Sequence, residues 1–219
     1  MAIENIHLRK LLKIMFLEAS PRRGELKKDI REDRAREMGS AGNGGDFYGP
    51  FWFDAKAHAL GGRDLFEAVS ARIAANWRCG NLYPQLRDGF LLWWNERRRW
   101  INEPFQQGQS LNAIFAFPGV NATVKLDNIL SVRDGQGVEH YVYPYFAPEP
   151  ILGEEAARWG LWLLGNAFNM VPHQELRILD VIRGRTFSVD RNPLQGNEEE
   201  AFRQCFRSLL IERDTLRDE

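Results

Sequence analysis

The sequence predicts an α+β (or α/β) domain, with a helical N-terminal part followed by a mixed central sheet flanked by helices. Three observations carry this expectation. From residue 3 to about residue 105 the apolar residues recur near the helical period; residues 111–146 change to an alternation rich in Val, Ile, Phe and Tyr; and two further amphipathic runs bracket a second strand-like stretch. A chain of 219 residues with 44% hydrophobic content holds one substantial core, or a core with a small appended lobe. The expected organisation is a helical N-terminal extension over 1–38, a glycine-rich hinge over 39–50 and an α/β core domain over 51–219.

In order along the chain, residues 3–18 place Ile3, Ile6, Leu8, Leu11, Leu12, Met15 and Phe16 on one side of an amphipathic helix. Pro21 interrupts that pattern. The charged segment 25–38 follows as a second helix, its pairs Lys28 with Glu32 and Glu32 with Arg36 set one turn apart and facing water. GSAGNGGDFYGP, residues 39–50, is the candidate hinge. Beyond it Phe47, Tyr48, Phe51, Trp52 and Phe53 crowd together and require burial or a ligand. Asp64 and Glu67 stand in capping-box register before a helix with Leu65, Val69, Ile73 and Trp77 on one line. Pro84 then leads into GFLLWWNERRRWINEPF, read as a helix over 89–105.

Residues 120–132 and 138–146 read as two strands of a hairpin around RDGQG, because Asp134-Gly135 favours a tight turn. Pro144 places the second strand at an edge, or at its end. Residues 154–168 form a helix apolar almost all round, ELRILDVIRGRTFSV gives two short strands around an Arg-Gly-Arg turn, and residues 197–216 form a C-terminal amphipathic helix. Asn197 and Glu200 are its expected cap, with Ala201, Phe202, Cys205, Phe206, Leu209 and Leu210 on its apolar face.

Composition narrows the function classes. The net charge is −1, from 29 basic and 30 acidic residues, so global electrostatics does not pull the molecule onto a polyanion or an anionic membrane. A nucleic-acid role has to rest on a local patch. Two cysteines, Cys79 and Cys205, form neither a disulfide framework nor a zinc motif, and no apolar run reaches the roughly 18 residues of a membrane span. The expectation is a soluble, cytoplasmic protein with no membrane partner. Walker and dinucleotide fingerprints are absent from the glycine stretch, and His7, His58, His140 and His173 are scattered without metal-ligand spacing.

The hairpin carries the chemistry worth testing. Asp127 and Glu139 are acids on neighbouring strands, which could share a divalent cation, and Lys125 falls two residues before Asp127 on the same strand face. With that hairpin, a crossover helix, further strands and a C-terminal helix, residues 64–216 resemble the RecB-like branch of the PD-(D/E)xK nuclease superfamily. The resemblance implies that Asp127 matches the first acid and Glu139 the second, that both bind Mg²⁺ in an active enzyme, and that Glu67 or Glu96 stands where a helix-borne acid is found. Tyr141 occupies the place of the family's lysine, a role that falls to Lys125 if the chain is active.

Projecting the segment after Phe90 at about 100° per residue gathers Trp93, Trp94 and Trp100 on one face with Arg97 among them, while Arg98 and Arg99 turn away. Arg97 is then either an internal anchor or a stacking group for a base or a partner. These six residues are the candidate nucleic-acid or partner contacts. Seven tryptophans also suit a large protein interface, or a homo-oligomer. Three functions stay open: a catalytically degenerate nuclease-like protein acting as a nucleic-acid-associated or complex-forming subunit, needing no cofactor; an active Mg²⁺-dependent nuclease using Asp127, Glu139 and Lys125; and a protein-binding scaffold.

Overall fold

In the computed structural model, which describes residues 3–39, 46–117 and 119–219, the expected mixed α+β architecture is present. Of the hinge, residues 40–45 lie outside the described residues. The chain opens with a strand, β1 (Asn5–His7), and not with helix; α1 (Leu8–Phe16) and α2 (Ala19–Glu37) follow. Pro21 does not end α2, because it lies in the first turn, where its missing N–H has no partner to lose. Three helices come next, α3 (Gly49–Ala59), α4 (Leu65–Ala75) and α5 (Tyr83–Leu92), and α5 continues into a π-helical turn over Trp93–Arg97. The Asp64 carboxylate accepts the Glu67 N–H at 2.9 Å, as its spacing predicts. Trp77 leaves the expected apolar line and is 82% exposed, since α4 stops at Ala75.

The strand expected over 120–132 is two strands in two different sheets. β3 (Ala113–Ala116) and β1 flank β4 (Thr123–Leu126) in a three-stranded sheet, with β1 parallel and β3 antiparallel to β4. Asn128, at φ 59°, then turns the chain into β5 (Leu130–Arg133). The short strand β2 (Gln106–Gln107), β5, β6 (Glu139–Tyr145), β7 (Leu176–Asp180) and β8 (Arg185–Phe187) form a five-stranded sheet in the order β2-β5-β6-β7-β8. β5 and β6 are the predicted hairpin, pairing Leu130 with Val142 and Arg133 with Glu139. The helix α6 (Glu154–Ala167) carries the chain across to β7, which runs parallel to β6. Pro144 lies inside a central strand, contrary to expectation. It is accommodated because the β5 ladder ends at Val142, before Pro144.

Alternation along β6 and β7 divides the interior in two. Tyr141, Tyr143, Tyr145, Leu176 and Ile178 face one core, shared with α1, α2, α6 and the C-terminal helix α7 (Glu198–Asp218). Val142, Phe146, Leu179 and Val181 face the other, shared with α3, α4 and α5. The central sheet is thus covered on both faces. Residues 3–37, expected as an extension, are woven into the first core through β1, α1 and Leu26 and Ile30 of α2. A buried charge cluster locks the same region: Arg213 of α7 bonds Asp29 at 3.3 Å, Glu4 at 2.9 Å and Asp33. Asn197 makes no side-chain cap on α7; the Glu198 carboxylate instead accepts the N–H groups of Gln195 and Gly196 at 2.6 and 2.9 Å.

Candidate functional site

Asp127 stands where the chain leaves the first sheet, at the N-terminal end of α1. His7, the last residue of β1, is the register partner of Lys125, and its Nδ1 comes 2.9 Å from Asp127 Oδ1, out of line for a hydrogen bond. Arg9, in the first turn of α1, donates from Nη1 to the same oxygen at 3.1 Å and places Nη2 3.7 Å from Asp46. The Arg9 backbone N–H donates to the Tyr143 hydroxyl at 3.0 Å. The bend itself is held by the Trp52 indole N–H, which donates to the Asn128 carbonyl.

The electrostatics follow from this packing. Burial alone would raise the Asp127 pKa, but His7 and Arg9 outweigh it and hold the carboxyl below its ordinary range. Burial pushes the Tyr143 hydroxyl up to about 12, so it remains protonated at neutral pH. Lys56, on α3, has its amine lowered by burial against the opposing pull of Asp127. One carboxylate therefore sits among basic groups on three elements, β1, α1 and α3.

The structure does not bring Glu139 to this place. Asp127 precedes the open end of the β5–β6 ladder, whereas Glu139 is at the turn end, paired with Arg133 at 2.7 Å and accepting the Gln109 N–H at 3.1 Å. Glu139 lies three residues along the ladder from the Leu130–Val142 pair, roughly 10 Å at strand spacing, and the turn at Asn128 separates Asp127 from that pair. The β6 side chain in this cluster is Tyr143, whose hydroxyl accepts the Arg9 N–H, and not Glu139 or Tyr141. Lys125 stays on β4, its side-chain amine without a hydrogen bond or ion pair among the described residues. Glu67 remains at the start of α4, and Glu96 lies in a separate cleft beside the π-helical turn.

Mg²⁺ takes several oxygen ligands in octahedral geometry. Around Asp127 the nearest groups are an imidazole nitrogen and a guanidinium, and that cation already occupies the carboxylate. These residues do not fit the metal that the resemblance implies. Among the described residues, no group of three or more His, Cys, Asp or Glu side chains stands together in a way that could hold a metal ion.

The tryptophan-arginine block also differs from its projection. Helical geometry ends with the π-helical turn, and Arg98 takes extended backbone at φ −61° and ψ 134°, so positions after 97 leave the helical wheel. Arg98, not Arg97, is the arginine among the aromatics. Its guanidinium carbon lies 4.1 Å from the Trp94 ring centre and 4.2 Å from that of Phe105, with Glu103 3.7 Å from Nη2. Arg97 reaches away, donating to the carbonyls of Arg183 at 3.0 Å and Gly184 at 3.3 Å, and Arg99 pairs with Asp190 at 2.7 Å. Trp93, Trp94 and Trp100 are 1%, 8% and 6% exposed, which makes them core side chains and not a stacking platform.

Trp100 seals a second polar cluster by stacking on His140 at 4.4 Å, the planes 8° apart. His140 is held by Glu175 at 2.6 Å and Asp134 at 3.3 Å. Sequence reasoning missed His7, Arg9 and Tyr143 around Asp127, and no local signal could have supplied them, since Arg9 and Asp127 are 118 residues apart. It also missed Arg185 and Arg191, which share a cleft with Arg97. The Arg-Gly-Arg turn was the available signal for that cleft. No described helix is long and apolar enough to cross a membrane. No family model matches the chain, and comparison with curated proteins and with solved structures gives no significant match.

Proposed function

We propose that this chain is a catalytically degenerate nuclease-like protein that works by binding, as a nucleic-acid-associated or complex-forming subunit. One observation carries the reading: the Asp127 carboxylate is committed to His7 and Arg9, and the β6 residue that joins this cluster is Tyr143, not a second acid or a lysine. The order of hairpin, crossover helix α6 and parallel β7 supports the nuclease-like relationship. Cleavage through Asp127, Glu139 and Lys125 would require both acids on one ion, whereas His7 and Arg9 hold Asp127 and Arg133 holds Glu139.

The test is incubation of the protein with single- and double-stranded DNA and RNA in Mg²⁺ or Mn²⁺, beside a folded Asp127→Ala variant. Both proteins should leave every substrate as intact as a protein-free control does. Metal-dependent cutting by the wild type that disappears in Asp127→Ala would overturn the degenerate reading.

A further inference from the structure

We infer that the cleft between the π-helical turn after α5, the β7–β8 turn and the start of α6 binds the phosphate of a nucleotide unit presented as a link in a strand. This deepens the nucleic-acid-associated reading above and rests on it. The cleft has a volume of about 550 Å³, enough for a phosphate and its sugar, and three arginines from separate parts of the chain line it: Arg97, Arg185 and Arg191. Planar guanidinium forks converging from different directions suit the several oxygens of a phosphate better than the two of a carboxylate.

Each arginine is placed differently. Arg97 is anchored through Nη1 alone to the Arg183 and Gly184 carbonyls, which leaves Nε and Nη2 without partners among the described residues. Arg185 lies 4.6 Å over the Phe187 ring and makes a 3.3 Å contact with Glu154. Both members of that pair are exposed, so it is weak and a phosphate can compete for the guanidinium. Arg191 has no side-chain partner among the described residues, yet its backbone is fixed. The N–H groups of Arg191 and Asn192 both donate to the Ser188 carbonyl, at 3.1 and 2.8 Å. Ser188 donates in turn to Asp190, which Arg99 holds at 2.7 Å. A pinned turn thus presents an unpaired cation to the cleft.

Glu96, Glu154, Gly184, Thr186 and Asn192 complete the lining, and Glu96, Thr186 and Asn192 offer acceptors and donors for sugar hydroxyls. The nearby tryptophans are buried, so the cleft supplies no ring for a base to stack on. Contact of this kind grips the backbone and does not read sequence.

The test measures binding of labelled single-stranded DNA and RNA, with competition by a nucleoside monophosphate and by inorganic phosphate. It compares the wild type, Arg191→Glu and Arg78→Glu; Arg78 is exposed, has no side-chain partner among the described residues and lies outside the cleft, so it reproduces the charge change alone. Melting curves confirm that both variants are folded. Arg191→Glu should weaken strand binding about tenfold and lower the salt slope by about one, with little dependence on base sequence, while Arg78→Glu stays within about twofold. Strand binding that both variants reduce equally, or neither reduces, overturns the cleft and leaves the nucleic-acid reading standing. Binding of the mononucleotide but not of strands, lost in Arg191→Glu, supports the phosphate site and overturns its use on a strand. Binding of none of these probes overturns both.

Discussion

Neighbouring residues with the same charge end in environments that share nothing. Arg97 satisfies backbone carbonyls, Arg98 lies between aromatic rings and Arg99 holds Asp190, because each side chain is placed by where the backbone turns and not by its spacing from Trp93. Asp134 offers the clearest residue-scale prediction. Burial would raise its pKa, but hydrogen bonds from the Asn102 side chain, the Val138 N–H, His140 and the Gln136 N–H overcome that and bring it to about 2. An unfolded aspartate titrates near 3.9, so the folded value is depressed. The stabilisation is fully present above about pH 4 and is lost as pH falls toward 2. Asp134→Asn should therefore lower the melting temperature at pH 6 and show a smaller further fall between pH 4 and pH 2 than the wild type, as thermal scans across that range would record. Parallel curves for the two proteins would show that Asp134 is not the group responsible.

At the scale of elements, α5 docks by a backbone approach that only glycine permits. A Cβ at Gly89 would lie 2.1 Å from the Val181 carbonyl oxygen and 2.2 Å from that of Ile182. Gly184, at φ 55°, makes the reciprocal approach, since its Cβ would meet the Gly89 carbonyl oxygen at 2.6 Å. Backbone cannot rotate aside as a side chain can. Gly89→Ala should cost at least about 1–3 kcal/mol in urea unfolding, because overpacking displaces α5 together with the turn that carries Arg97. Gly24→Ala, in α2 with nothing within 4 Å of the added carbon, should instead gain up to about 1 kcal/mol from helix propensity. A Gly89→Ala protein as stable as the wild type would show that the approach is looser than described.

At the scale of the whole molecule, the N-terminal residues are structural members of the core. β1 supplies the parallel neighbour of β4, α1 buries Leu8, Leu11, Leu12 and Ile14, and Arg213 draws α7 onto α2. Removing them would expose the apolar face of the interior that they cover and take Glu4, Asp29 and Asp33 from Arg213. A fragment of residues 51–219 should consequently lack cooperative thermal unfolding and near-ultraviolet dichroism. A sharp melting transition in that fragment would establish the N-terminal part as separable.

The amino-acid sequence by itself determined the features that arise within a few residues: the Asp64 cap, the Asp134-Gly135 turn of the hairpin, the Arg-Gly-Arg turn, and the mixed α+β order of elements. Periodicity and turn chemistry are local, so they survive without knowledge of the fold. Only the tertiary structure decided that residues 120–132 divide between two sheets at Asn128, that Asp127 joins His7, Arg9 and Tyr143 instead of Glu139, and that Arg191 joins Arg97 in one cleft. Those outcomes depend on single backbone departures from regular geometry and on contacts between residues far apart in the chain. Neither leaves a pattern in the spacing of residue types, which is why the acids looked paired in sequence and are separate in space.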